Sequence, residues 1–113
     1  MNIKINKVKI IVAIPLENVD EVRTAVCKSG AGIIGNYSYC TSSVKSTGTF
    51  KPNNNANPHI GENNKLEFVE EENLEFTCDI DKVKSVISKL REVHPYEEPA
   101  IDIIPLLDEN DFE

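Results

Sequence analysis

The segment 94–99, HPYEEP, places an imidazole, a phenol and two carboxylates between two prolines. Imidazole and carboxylate groups bind first-row divalent metals, so His94 with Glu97 or Glu98 is a candidate metal site. Glu97 and Glu98 are adjacent, however, and in an extended segment they point to opposite faces. This adjacency argues against both carboxylates chelating one ion. Hydrogen bonding across a subunit interface and a purely structural role remain alternatives.

The structural alternative explains only part of this segment. Pro95 disfavours helical geometry at the residue before it, so a helix is expected to stop at His94. A histidine in the last turn also suits the negative end of a helix. Neither argument accounts for Tyr96, Glu97 and Glu98. We therefore retain His94, Tyr96, Glu97 and Glu98 as candidate ligand-binding residues.

A glycine-rich segment, GAGIIGNY at 30–37, resembles a phosphate-binding loop only superficially. In the dinucleotide fingerprint the glycines follow a strand and open a helix, whose N-terminus then faces the phosphate. Here they follow a predicted helix and lead into a predicted strand. A left-handed helix cap with a tight turn is the favoured interpretation, beside a backbone surface shaped for another ligand. Asn36 and Tyr37 are the candidate binding residues of this segment.

A long loop is predicted at 45–64, where Asn, Gly and Pro are frequent. Loops beyond about 12–15 residues in a compact domain are usually functional or disordered. Phe50 and Ile60 are apolar anchors that favour a loop packed against the domain. His59 is a further candidate ligand-binding residue, although a surface histidine is the simpler interpretation of this position.

The elements that must position these residues follow from the hydrophobic pattern. Apolar residues alternate at 8–14 and 74–80, and they recur at helical spacing at 19–26 and 83–93. Further strands are predicted at 37–44, 66–68 and 101–104, with a bend or turn near 70–73, where the alternation changes phase. This order predicts an α+β fold, a ferredoxin-like βαββαβ sandwich whose antiparallel sheet carries both helices on one face. Ile11 and Ala13 would lie on the open face, which another copy of the chain could cover.

Length and charge limit the function classes. The 113 residues are expected to form a single domain, 1–113, that ends in a frayed acidic tail at 108–113. The net charge of −7 argues against a nucleic-acid partner, since phosphate contacts need a basic face. It permits a divalent cation or a basic partner. Apolar runs are too short for a membrane span, and no secretory leader is expected.

The cysteines and histidines narrow the chemistry. Cys27, Cys40 and Cys78 are odd in number and form no Cys-x-x-Cys pair, so buried thiols in a reducing cytoplasm are the favoured interpretation. No nucleophile with an adjacent base is recognisable. With only two histidines, a dinuclear metal centre is difficult to assemble. These observations favour a non-enzymatic protein.

Five sequence blocks, taken together, resemble one known module. They are GAGIIGNY at 30–37, TGTFKP at 47–52, ANPHIG at 56–61, KLE at 65–67 and HPYEEPA at 94–100. The chain resembles, from Lys7 to Leu107, the YqfO-type domain inserted in the NGG-one-interacting-factor-three-like proteins and also found as small stand-alone proteins. Asn55 and Asn64 stand where this family usually has glycine.

The resemblance has implications for fold and assembly. The inserted domain is similar to the PII signal proteins and the CutA divalent-cation tolerance proteins, which implies the ferredoxin-like fold and an oligomer, with a trimer favoured. The metal-binding halves that flank the module in the long proteins have no counterpart in this chain, so their hydrolase activity does not carry over to it.

The expected function is therefore a non-enzymatic, PII/CutA-like, homo-oligomeric and regulatory module. It would bind a small ligand or a divalent cation, its one candidate cofactor, near a subunit interface. The alternative is a protein-interaction module that docks on a separately encoded partner. A metal-dependent hydrolase ranks last.

Overall fold

The computed structural model describes residues 3–113. Four strands and two helices follow one another in the order βαββαβ. They are β1 (Lys7–Pro15), α1 (Val19–Lys28), β2 (Thr41–Phe50), β3 (Glu67–Asp79), α2 (Val83–Val93) and β4 (Ile101–Leu106). Short 3₁₀ turns lead into both helices, and a third 3₁₀ turn follows β4.

The four strands form one antiparallel sheet in the order β2-β3-β1-β4. The helices pack against each other and against one face of this sheet. The βαββαβ element order with this strand order is the ferredoxin-like fold, so the predicted fold class is confirmed.

The core lies between the helices and the sheet. Alternate residues of β1 and β3 point into it, as the period of a strand requires. Ile10, Ile14 and Leu74 are fully buried there, together with Val22 of α1 and Leu90 of α2. Ile11 and Ala13 lie on the open face as predicted and are only partly buried.

Both helix ends near the candidate segments follow the sequence prediction. Gly30 has a φ of +106°, and the N–H groups of Gly30 and Ala31 donate to the carbonyls of Cys27 and Val26. This is a Schellman cap, in which glycine occupies the left-handed position. Helix α2 ends at His94, whose ψ of 132° is extended, as expected for a residue before proline.

Neither helix has a side-chain hydrogen bond at its N-cap within the described part of the chain. Asn18 precedes α1, but its side chain makes no capping hydrogen bond, and its Oδ1 is buried without a hydrogen-bond partner among the described residues. Asp81, just before α2, lies inside a 3₁₀ turn. In both cases this turn places the start of the helix beyond the polar residue.

The β2–β3 hairpin differs from the sequence prediction. Strand β2 runs from Thr41 to Phe50 rather than over 37–44, so the loop spans 51–66. Strand β3 is continuous over 13 residues and keeps one register with β1 and β2, without the bend expected near 70–73. The alternation of apolar residues changes phase because the buried face of β3 changes along its length. From Leu74 onwards the helix-covered face is buried, whereas at Glu71 the opposite face is buried.

This hairpin makes the domain elongated. The principal extents are 52 × 27 × 24 Å and the radius of gyration is 15.9 Å, against about 13 Å for a compact domain of 100 residues. In the acidic tail, the Asp108 N–H donates to Asp111 Oδ2 at 2.7 Å within a 3₁₀ turn. No helix within residues 3–113 has the length and apolar character needed to cross a membrane.

Candidate functional site

A cavity of about 380 Å³ lies where the end of β2, the 51–66 loop and the 94–100 segment meet. Its volume falls within the range of small-molecule sites, about 300–1,000 Å³. We call this cavity the cleft. Its walls are mostly apolar and aromatic, with a few acidic and basic side chains, and are formed by Ala13, Gly48, Thr49, Phe50, Lys51, Pro52, Asn53, Ala56, Pro58, His59, Ile60, Glu71, Tyr96, Glu97, Glu98 and Ala100.

A buried carboxylate and a phenol form the polar centre of the cleft. Glu71 is only 5% exposed, and its Oε2 accepts a hydrogen bond of 2.7 Å from the Tyr96 hydroxyl. Burial, and then the hydrogen bond and charge of Glu71, raise the pKa of Tyr96 well above its ordinary value. Tyr96 is therefore a neutral donor at physiological pH, and Glu71 is an acceptor.

Gly48 leaves the space that the Glu71 side chain occupies. A Cβ atom built on Gly48 would overlap Glu71 Oε1 and would lie 2.8 Å from Glu71 Cδ. These two residues are diagonal neighbours on the open face, since Glu71 pairs with Ser46 and Gly48 pairs with Val69. The sequence block TGTFKP at 47–52 therefore includes a glycine whose missing side chain leaves room for the Glu71 carboxylate.

His94 supports the cleft through both ring nitrogens. Nε2 donates to the Ala13 carbonyl at 2.8 Å, and Nδ1 accepts from the Tyr96 N–H at 3.1 Å. The Ala13 carbonyl lies just beyond Val12, the last β1 residue that pairs with β4. Burial lowers the pKa of His94, and its hydrogen bonds require the neutral ring. With both nitrogens bonded, His94 offers no free ligand atom to a metal.

The lowered pKa of His94 predicts acid sensitivity. Below about pH 6.5, the ordinary histidine pKa, the unfolded chain binds a proton at this position before the folded chain does. The free energy of unfolding should therefore fall as the pH drops from about 6.5 towards the folded-state pKa. His94→Gln should lower the stability by about 1 kcal/mol at pH 7.5, through one lost hydrogen bond, and should flatten the decline in Tm between pH 7.5 and 5.0.

Carboxylates titrate in wild type and in His94→Gln alike, so only the difference between the two curves reports His94. Parallel curves for wild type and His94→Gln would contradict the assignment.

Ring contacts around Tyr96 and one backbone hydrogen bond connect the segments that form the cleft. The rings of Phe50, His59 and His94 surround Tyr96, with centroid distances of 6.1, 6.5 and 4.9 Å respectively. The Asn57 N–H donates to Glu97 Oε1 at 3.1 Å and so ties the 51–66 loop to the 94–100 segment. These contacts bring together His59, His94, Tyr96 and Glu97 from the predicted candidates.

Glu98 and Asn64 have more peripheral positions. Glu98 lies at the rim of the cleft with its side chain 84% exposed, and its Oε2 is 4.0 Å from Arg91 Nη1. Asn64 has a φ of +68°, the left-handed region that favours glycine. Asparagine tolerates this region better than most residues, which suits a position where the resemblance implies glycine.

The structure does not bring Asn36 and Tyr37 to the cleft. They belong to a tight turn closed by reciprocal backbone hydrogen bonds between Ile34 and Tyr37. The Gly32 N–H donates to the Thr77 carbonyl, which places this turn beside the far end of β3. Thr77 is six residues from Glu71, or about 20 Å along the strand.

Sequence reasoning missed Glu71 and Gly48. The change of phase in the hydrophobic alternation near 70–73 could have indicated Glu71, which lies on the same face of the sheet as Ala13. Across residues 3–113, no group of three or more His, Cys, Asp and Glu side chains is arranged to hold a metal ion. The cleft therefore offers hydrogen bonds, one buried carboxylate and aromatic surface.

Comparisons with known proteins identify relatives for this chain, although no family model matches it. The chain is 47% identical over 103 residues to a protein of Halalkalibacterium halodurans named GTP cyclohydrolase 1 type 2 homolog. The match covers 91% of this chain and 28% of that protein. A protein of Bacillus subtilis with the same name is 44% identical over 98 residues, 87% of this chain and 26% of the relative. The chain thus spans about a quarter of the length of these curated relatives.

Solved structures give the same assignment. A Bacillus cereus protein related to NIF3 superposes with a TM-score of 0.77 at 39% identity, over 94% of this chain and 27% of that one. The periplasmic divalent cation tolerance protein CutA of Archaeoglobus fulgidus has a TM-score of 0.64 at 19% identity, over 88% and 83% of the two chains. The CutA likeness shows the fold alone. The chain is therefore similar in sequence to one segment of the GTP cyclohydrolase 1 type 2 homologs and of a NIF3-related protein, and it shares the fold of CutA.

Proposed function

We propose that this chain is a non-enzymatic, self-associating, regulatory module whose cleft binds a small organic ligand. The observation that carries the proposal is the cavity of about 380 Å³ with a carboxylate–phenol pair buried in its wall. Concave, mostly apolar cavities with few convergent polar groups are typical of ligand sites. The family relationship supports a PII/CutA-like module and leaves the ligand open.

An organic ligand fits the cleft better than a divalent cation does. Both nitrogens of His94 are hydrogen-bonded, and one oxygen of Glu97 accepts from the Asn57 N–H. Glu98 is directed towards Arg91 at the rim. Of the three predicted metal ligands, His94 therefore has no free nitrogen, and Glu97 has one oxygen that is already hydrogen-bonded.

The chemistry of the cleft also favours binding over catalysis. Tyr96 has a raised pKa and holds its proton for Glu71, and His94 has no free nitrogen.

Outside the cleft, burial raises the pKa values of Cys27 and Cys78, which makes their reactive thiolates scarce at neutral pH. All three cysteines are free thiols, which supports a reducing compartment and our proposal of a cytoplasmic location.

Exposed apolar residues support self-association, with a trimer favoured by the family relationship. Val44 on the open face of β2 is 62% exposed, and Ile104 on the same face of β4 is 42% exposed. The outer edges of β2 and β4 have no neighbouring strand within residues 3–113. Such edges and faces are usually covered in the assembled protein.

Val44→Lys should therefore shift the mass measured by light scattering towards that of the monomer. The control is Ser43→Lys, which adds the same charge on the adjacent residue and points to the other face of β2. Equal masses for both variants and the wild type, or a monomeric wild type, would contradict the assignment of this face.

A docking function is supported by a different surface. Ile34 and Tyr37, in the turn remote from the cleft, are 57% and 75% exposed. A separately encoded protein partner that used this turn would be captured stoichiometrically by wild type and lost with Ile34→Asp. Unchanged capture by this variant would exclude the turn as the docking surface.

A thermal-shift screen tests the ligand proposal. Cationic, neutral and anionic fragments, and the chlorides of Zn, Cu, Mn and Co, would be added to the purified protein. At least one organic fragment should raise Tm saturably, since ligands that bind only the folded state stabilise it. Ala56→Phe, which fills the cleft, should abolish this rise, whereas Ala56→Ser should retain it. A rise that survives Ala56→Phe, or a rise with metals alone, would contradict the proposal.

A further inference from the structure

We infer that the ligand of the cleft is a small organic cation, an ammonium or guanidinium group on a short apolar body. This inference rests on the proposed function, namely that the cleft binds an organic ligand. It is carried by the juxtaposition of a buried carboxylate, two aromatic rings and apolar walls in one small cavity.

Within residues 3–113, the carboxylate of Glu71 has no cationic partner. It is 5% exposed, and the one side-chain hydrogen bond that it makes among the described residues comes from the neutral Tyr96 hydroxyl. The ion pairs of the described chain, such as Lys9 with Glu75 and Arg91 with Glu98, involve other carboxylates. Burying a charge is unfavourable unless it is paired and hydrogen-bonded. A cation in the cleft would supply the partner that Glu71 lacks.

The rings beside Glu71 suit a cation as well. Phe50 and Tyr96 lie 6.1 Å apart between ring centroids at an interplanar angle of 56°, and both line the cleft. Aromatic faces attract ammonium and guanidinium groups, most strongly where water is excluded. Pro52, Pro58 and Ile60 provide apolar contact for the body of the ligand.

The charges around the cleft disfavour an anion. Lys51 and His59 contribute basic groups to the walls, against the carboxylates of Glu71, Glu97 and Glu98. Glu71 is the most deeply buried of these charged groups, whereas Lys51 is exposed. The net charge of −7 adds a field that attracts cations and repels anions.

Isothermal titration calorimetry with three probes of similar size tests this inference. Butylguanidinium carries the charge, butylurea is its neutral counterpart of nearly the same shape, and pentanoate carries the opposite charge. Butylguanidinium should bind about tenfold or more tightly than butylurea, the ratio expected for a hydrogen-bonded charge pair, and pentanoate should not bind saturably. This comparison needs no variant, so it does not depend on how well a mutant folds.

The variant arm uses two substitutions that remove the same charge. Glu71→Gln should weaken the binding of butylguanidinium by about tenfold to 100-fold and bring it close to the affinity for butylurea. Glu70→Gln is the control, because Glu70 is the exposed neighbour of Glu71 and points to the opposite face of β3. The affinity of this variant for butylguanidinium should stay within about twofold of wild type.

Two outcomes would overturn the inference. In the first, butylurea or pentanoate binds at least as tightly as butylguanidinium, and Ala56→Phe abolishes this binding. The cleft would then still be a ligand site, but its ligand would not be a cation. No saturable binding of butylguanidinium would also overturn the inference. In that case the thermal-shift screen decides separately whether the proposed function fails too.

Discussion

Replacing Gly48 with alanine is expected to lower the free energy of unfolding by about 1–3 kcal/mol, the usual cost of forcing extra volume into a packed site. The new Cβ would overlap Glu71 Oε1 and must displace the buried carboxylate. The φ of Gly48 does not lie in the left-handed region, so its backbone suits alanine. The expected loss therefore comes from the contact with Glu71.

The sign of this effect is diagnostic. Without the overlap, alanine in place of glycine within a strand would stabilise the protein by about 0.5–1 kcal/mol. Urea unfolding of Gly48→Ala, Glu71→Ala and the double variant measures the difference. In the Glu71→Ala background the overlap is absent, so adding Gly48→Ala should no longer lower the free energy of unfolding. A Gly48→Ala protein as stable as wild type, or more stable, would show that the carboxylate does not occupy this space.

Tyr96→Phe is expected to lower the free energy of unfolding by about 2 kcal/mol, because it leaves the buried Glu71 without its donor. The ring and its contacts with Phe50 and His94 should remain, so the loss reports the hydroxyl group alone. Denaturant titrations at pH 7.5 measure the change. Tyr37→Phe, at a tyrosine that is 75% exposed, is the matched control and should change stability by less than about 0.5 kcal/mol.

A double-mutant cycle separates the pair from its surroundings. Glu71→Gln and Tyr96→Phe should show a coupling energy of about 1–2 kcal/mol, since the two side chains are in direct contact. Additive effects would mean that the phenol stabilises the fold through packing, and the polar centre of the cleft would then be wrongly assigned.

The local parts of this architecture could be predicted from the sequence. The helix stop at His94 and the left-handed cap at Gly30 follow from single-residue backbone preferences. The core faces of β1 and of the second half of β3 follow from alternation. These features depend on neighbours within a few residues, so they can be predicted without any tertiary information.

The polar centre of the cleft could not be predicted in the same way. Tyr96 and Glu71 are 25 residues apart, and Gly48 meets Glu71 only after β2 and β3 have paired. The extension of β2 to Phe50 depends on that pairing, because Ser, Thr and Gly in this stretch carry no strong strand pattern. Sequence blocks at 30–37 and 94–100 resemble one family, yet the fold places them at opposite ends of the sheet.

Nuclear magnetic resonance of ¹⁵N-labelled protein, titrated in turn with butylguanidinium, butylurea and pentanoate, tests most directly the claim that the cleft is a ligand site. For at least one probe, saturable amide shifts should be confined to Ala13, Glu71 and residues 48–60 and 94–100, and residues 30–37 should stay unchanged as the internal control. Shifts that are absent for all three probes, or that centre on the 30–37 turn, would contradict the account.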